Sequence, residues 1–236
     1  MKTQVNASYS IIAKLLIALV VALALLVAPL GTNPAHATSL KAADVTFTQP
    51  GKTFKSKLWY AGAGKHTVTC SVKSVKVKKA KKAGYKIATV VLEVRDKWKP
   101  KNRQIKAMVK HLNSDDSLEC GWWWAFVVDG KTGEYLDTKK VADKYGITLK
   151  TKGWYDYNIW RHTATDGSWV EIPKVSRIKY TITYPKSYKN LCCGVGVGQK
   201  KYNESAMSKF EDGKVTYQKS WWHKNNKSNT RFVKVK

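Results

Sequence analysis

The sequence predicts an all-β protein, an antiparallel β-sandwich with one short inserted helix near residues 103–112. Three observations predict it. Apolar and polar residues alternate with period two through most of the chain. Turn signals at Lys82 to Gly84, Asp129-Gly130, Asp166-Gly167 and Asp212-Gly213 separate the alternating runs. Only one segment carries a clear helical period. Strand-rich chains punctuated in this way are usually sandwiches or barrels.

Taken in order, Val68, Cys70 and Val72 share one face, and Val75 and Val77 then take the opposite parity. The phase change at Lys73 and Ser74 predicts a bulge or a break between two strands. Further strands are expected over 87–94, 122–128 and 146–151. Ile178, Tyr180, Ile182 and Tyr184 alternate with Lys179, Thr181 and Thr183 in the most regular strand of the chain. Segments 191–197, 215–218 and 231–235 complete the set. The helix rests on Ile105, Met108, Val109 and Leu112, spaced i, i+3, i+4, i+7 after Pro100 and Asn102.

Residues 1–37 read as a secretory signal peptide. Lys2 and Lys14 precede or open an unbroken apolar run from Leu15 to Ala28, and no acidic residue occurs before Asp44. Fourteen residues are short for a membrane span of about 20. Pro29, Gly31 and Pro34 break any helix, and Ala35-His36-Ala37 offers a small-x-small cleavage pattern. The alternative is an uncleaved N-terminal anchor. With the signal removed, the expected product is a single sandwich domain over 38–236 with no membrane span. It would be secreted and extracellular, or loosely associated with a cell wall.

Charge points to the partner class. The chain has 43 Lys and Arg against 16 Asp and Glu, a formal charge of +27. Only Arg95, Arg103, Arg161, Arg177 and Arg231 are arginines. Lysine is a hydrated point charge, whereas the guanidinium fork reads phosphates and bases. The excess therefore favours diffuse attraction to an anionic cell-wall polymer or glycan over specific nucleic-acid reading. Solubility alone is the competing explanation. The densest stretch runs from Lys73 through Lys76, Lys78 and Lys79 to Lys82.

Residues Tyr184 to Gly198 (YPKSYKNLCCGVGVG) resemble the penultimate strands of secreted immunoglobulin-like β-sandwich proteins from Gram-positive gut anaerobes. The hairpin around Asp129 and Gly133 and the final Asn229 to Val235 are similar too. The resemblance implies an immunoglobulin-like sandwich and an extracellular compartment, and it carries no catalytic motif. Tyr188 stands four residues before Cys192, where the antibody-type tyrosine corner places two.

No catalytic signature is present. His66, His111, His162 and His223 lie outside any H-E-x-x-H, and no serine sits in G-x-S-x-G. No cofactor or metal is expected. Cys70, Cys120, Cys192 and Cys193 allow three pairings, and Cys192 and Cys193 should face opposite sides of a strand. The Gly194 to Gly198 run lacks the Lys-Ser/Thr of a phosphate loop, so its alternating glycines mark close backbone packing.

Aromatics supply the remaining candidates. Trp122, Trp123 and Trp124 would make both faces of one strand apolar, which implies a covered central strand or an exposed platform. Trp154, Tyr155, Tyr157 and Trp160 form a second cluster. Trp221 and Trp222, flanked by Lys219 and Lys224, form a third, in what reads as a polar loop. Flat aromatic faces stack on sugars and anchor protein interfaces. The function expected is a non-enzymatic, surface-associated binding module for an anionic envelope polymer, a glycan or an extracellular protein. The candidate ligand-binding residues are Trp221, Trp222, Trp154, Tyr157, Trp160, Trp123, Lys219 and Lys224. The alternative is a small secreted hydrolase acting on glycans, with carboxylates drawn from Glu119, Glu134, Asp156, Asp166 and Glu171.

Overall fold

Alternating burial resolves into ten strands that form two sheets. The structure is a computed structural model that describes residues 45–114, 123–153, 156–200 and 203–236, with no side-chain description for 114 and 156–160. The chain divides after Ala37, and everything described belongs to the unit Thr38–Lys236. The expected signal segment lies outside the described residues.

The smaller sheet has the order β1 (Thr46–Phe47), β10 (Thr230–Lys234), β9 (Leu191–Val197), β5 (Trp123–Asp129). The larger runs β2 (Thr53–Tyr60), β3 (Gly64–Lys79), β4 (Tyr85–Arg95), β8 (Trp169–Pro185), β6 (Thr148–Lys152), and β7 (Asp156–Thr163) also pairs with β8. The phase change in β3 is a register shift between Val72 and Ser74. One expectation needs correction: β1 runs parallel to β10, with Thr46 opposite Arg231, so the smaller sheet is mixed.

Inward residues of both sheets build the main core. Val72, Val90, Leu92, Ile178 and Tyr180 of the larger sheet meet Ala125, Val127, Val195, Val197 and Val233 of the smaller. Each fully buried aliphatic side chain stabilises by roughly 1.5–3 kcal/mol. The outer face of the smaller sheet is covered as well. Phe126, Val128, Cys192 and Phe232 pack against Met207, Phe210, Tyr217 and Trp222 from the region after β9. Trp122 lies outside the described residues; Trp123 and Trp124 pack against the two different cores, so β5, an edge strand, is covered on both faces.

Helix α1 (Asn102–Ser114) lies where the sequence put it, between β4 and β5, and buries Ile105 and Met108. Three further helices correct the expectation of one: α2 (Lys139–Tyr145), α3 (Glu204–Glu211) and α4 (Trp221–Asn226). Each has a hydroxyl or amide N-cap, from Thr138, Asn203 and Ser220. Gly146 closes α2 at φ 64°, a left-handed conformation that glycine adopts without strain. The strand expected over 215–218 is a 3₁₀ turn, Tyr217–Lys219, that drives Tyr217 into the outer core. A two-position alternation was too short to tell these apart.

Asn229 ties the sheets together. Its Oδ1 accepts from the Lys57 backbone N–H at 3.3 Å and its Nδ2 donates to the Lys57 carbonyl at 2.5 Å. The free edge of β2 is thereby occupied by a side chain that imitates a strand. Among the described residues no helix is long and apolar enough to cross a membrane.

Candidate functional site

The inward parity of the larger sheet is spent on the core, so the outward parity carries whatever that sheet shows to solvent. Register sets those residues in rows across four strands. Lys76, Thr89, Thr181 and Lys150 form one row. Ser74, Val91, Lys179 and Lys152 form the next, and Lys78, Ile87, Thr183 and Thr148 lie on the other side. Lys55 and Lys57 of β2 and Lys65 of β3 extend the same parity. Lys57 Nζ donates to Thr67 Oγ1 of its cross-strand partner at 2.8 Å, as residues on one face should.

The lysines therefore stand in columns. Neighbouring strands lie about 4.8 Å apart, so the β3 and β6 columns are separated by about 14 Å. Lys152 and Lys179 are direct cross-strand neighbours of like charge, an arrangement that destabilises a sheet in isolation. Lys76, Lys78, Lys150, Lys152 and Lys179 are all exposed.

Two carboxylates sit in this parity among the described side chains: Glu171, exposed near the start of β8 opposite Arg161 of β7, and Glu93, which is buried at 3% exposure. Lys73 Nζ lies 3.2 Å from its Oε2, Arg95 Nε donates to Oε1, and Arg177 Nε donates to Oε2. Burial pushes this carboxyl up, and the hydrogen bonds from Arg95, Arg177 and Lys73 outweigh that and hold it below the usual range. Glu93 thus offsets one of the three charges around it and leaves the lysine rows without a carboxylate.

The residues singled out from sequence are not gathered in one place. Trp222 is fully buried, its Nε1 donating to Thr230 Oγ1 at 2.7 Å, so it is unavailable as a ligand platform. Adjacent residues on a helix diverge by about 100°, so Trp221, beside it on α4, is only partly buried. Lys219 and Lys224 are exposed on that helical layer, away from the larger sheet. Trp123 packs partly buried against the main core. Trp154 lies outside the described residues, and Tyr157 and Trp160 are described only as backbone of β7. Sequence reading missed Trp169, an exposed large hydrophobic at 46%, whose ring carries Arg161 Cζ at 3.8 Å.

It also missed a histidine–aspartate pair. His66 Nε2 lies 2.6 Å from Asp96 Oδ2, and the imidazole packs against Tyr60 and Trp98 at centroid distances of 4.8 and 4.3 Å, in a cluster where those two rings also meet at 5.4 Å. Its buried Nδ1 meets no hydrogen-bonding partner, and no nucleophile completes a triad there, among the described residues. The pair braces the β2–β3 turn against the segment after β4. Of the carboxylates considered for glycan hydrolysis, Glu119 lies outside the described residues and Asp156 has no side-chain description. Glu134 is bound by Lys144 and Tyr145, Asp166 by Lys106 and Ser168, and Glu171 is exposed on β8 opposite Arg161 of β7. Cys70, Cys192 and Cys193 are buried free thiols, and burial pushes Cys70 and Cys192 up to about 12. Cys192 and Cys193 belong to different cores, and Cys120 lies outside the described residues. Among the described residues no group of His, Cys, Asp or Glu side chains is placed to hold a metal ion.

No protein-family model matches the chain, and neither a curated protein nor a solved structure is similar to it.

Proposed function

We propose that this is a secreted, non-catalytic binding module that uses the outer face of its larger sheet to hold anionic polymers of a Gram-positive cell envelope. The observation that carries the reading is the set of exposed lysines on β3, β8 and β6, in rows that contain no carboxylate. A field of this kind concentrates polyanions and is sensitive to salt.

The scaffold we propose is immunoglobulin-like, in line with the resemblance of residues 184–198. Its support is strand order. The first strand lies parallel beside the last, which is followed by β9 and β5, as A, G, F and C are in variable-type immunoglobulin sheets. In the facing sheet β4 pairs with β8 and β8 with β6, as B, E and D do. The Tyr188 hydroxyl donates to Asp129 at the end of β5, a corner bond to a carboxylate where the antibody type bonds backbone.

The test is co-sedimentation with purified Gram-positive cell walls across a sodium chloride series. Binding is expected at low salt and should be lost by about 0.3–0.5 M, where the Debye length falls below the lysine spacing. The variant Lys76→Glu/Lys150→Glu/Lys179→Glu should not bind, and Lys219→Glu/Lys224→Glu should bind as the parent does. Binding that survives 1 M salt, or a triple variant that sediments normally, would sink the proposal.

A further inference from the structure

Cations of this face occur in pairs two residues apart on one strand, Lys76 and Lys78 on β3 and Lys150 and Lys152 on β6, with Lys179 of β8 standing singly because Arg177 beside it is held by Glu93. Residues i and i+2 of a strand are joined by six backbone bonds and stand about 6.7 Å apart. Charge attraction alone does not require such a period. A ligand that uses it must carry its own charges at the same interval.

We infer that the ligand is a linear polyol phosphate, a chain of phosphodiesters bridged by three-carbon units, lying along the strands with successive phosphates on successive lysines of a column. The match is one of covalent geometry. A phosphate–three-carbon repeat contains six backbone bonds (P–O, O–C, C–C, C–C, C–O, O–P) and extends to about 7 Å, as two peptide residues do. Hydroxyls of Thr89, Thr181 and Thr183 line the floor between the columns and can donate to phosphate or accept from polyol. The like-charge pair Lys152 and Lys179 would share one phosphate, turning a cross-strand repulsion into two charge-assisted hydrogen bonds. Single-stranded nucleic acid also has a six-bond repeat, but its bases need stacking platforms. The floor between the columns is Val91, Thr89, Thr181, Ile87 and Thr183, with no ring among them. Acidic polysaccharides space their charges through pyranose rings and do not share the period.

This inference rests on the envelope-polymer reading, and the test separates the two. Synthetic phosphodiester oligomers of equal charge, bridged by ethylene glycol, 1,3-propanediol or 1,4-butanediol, are titrated into the protein at low salt beside polygalacturonate and oligo-dT. Affinity should peak at the three-carbon bridge and fall about fivefold on either side, the worth of one lysine contact. The charge-conserving swap Lys150→Thr/Thr151→Lys, at two exposed positions, should cost a similar factor for the three-carbon oligomer and nothing for polygalacturonate. A flat response to bridge length, with all polyanions binding, ends the register inference and leaves the envelope reading standing. Tighter binding of oligo-dT makes single-stranded nucleic acid the occupant and overturns it. Failure of every polymer to bind removes both.

Discussion

Glu93 shows how one residue can make a cationic face possible. Removing a carboxylate from water costs several kcal/mol unless it is well paired, and Lys73, Arg95 and Arg177 supply three partners. Those partners are themselves only half withdrawn from solvent, so the cluster is worth less than a wholly buried ion pair. Replacing Glu93 by Gln keeps the shape and removes the charge, and unfolding free energy at pH 7 should fall by about 1–3 kcal/mol. The sign of the pH dependence is fixed by the direction of its shift. A carboxyl held below its unfolded value contributes stability above the ordinary Glu range, near about 4.3, and loses it as pH falls through the folded value. Urea unfolding of parent and Glu93→Gln should therefore differ at pH 7 and converge in acid. A difference that is the same at every pH would mean that the carboxylate's charge plays no part.

At the scale of elements, β9 is shaped by what lies on it. A Cβ built at Gly196 would stand 2.4 Å from Thr230 Oγ1 and 2.8 Å from Trp222 Cζ2, and one at Gly194 would stand 2.7 Å from the Phe232 ring. The alternating glycines form a trough in which two aromatic rings lie. Gly196→Ala should destabilise by about 1–3 kcal/mol through overpacking, and Trp222→Ala by about 3–5 kcal/mol through the cavity it leaves. Thermal melting reads both, and cell-wall binding by the folded fraction should be unchanged, because this contact lies on the helical side of the smaller sheet. A Trp222→Ala protein of parental stability that no longer bound would restore that tryptophan as a ligand contact. The close packing on β9, the bulge in β3, the regular β8 and helix α1 were legible because each is written in local period or in glycine spacing. The short helices were legible only in their caps: Thr138 with Gly146, Asn203 and Ser220 mark them, while six to eight residues give too few turns for a period. The cationic face was not legible. Its rows join Lys76 to Lys150 across 74 positions of sequence, and only tertiary register brings them level. The tryptophans misled for the opposite reason, since adjacency in sequence suggested a shared surface that helical geometry divides.

Across the whole molecule, opposite effects of salt compete, and the charge inventory decides between them. Screening weakens ion pairs, but the exposed ones, such as Lys139 with Asp143 and Lys214 with Asp212, are worth only about 0–1 kcal/mol each. Screening also relieves repulsion among cations that outnumber carboxylates 43 to 16, several of them about 5–7 Å apart on one sheet. That spacing is inside the Debye length of about 10 Å at 0.1 M, so repulsion is felt at low salt and attenuated above it. Relief should win. Raising sodium chloride from 10 to 200 mM should increase the melting temperature by about 2–4 °C, equivalent to about 1 kcal/mol for a domain of this size. A polyanion that binds the native face adds a second increment by mass action, and it should act at ligand concentrations far too low to screen. The comparison is informative because the two increments have different origins. Stabilisation by salt without stabilisation by polyanion would mean that the charge is spread evenly and merely keeps the protein in solution. Stabilisation by both, with the polymer's increment abolished in Lys76→Glu/Lys150→Glu/Lys179→Glu and the salt increment reduced, ties the excess charge to the sheet face. A melting temperature that falls steadily with salt would show instead that ion pairing dominates, and the uncompensated columns would lose their physical basis.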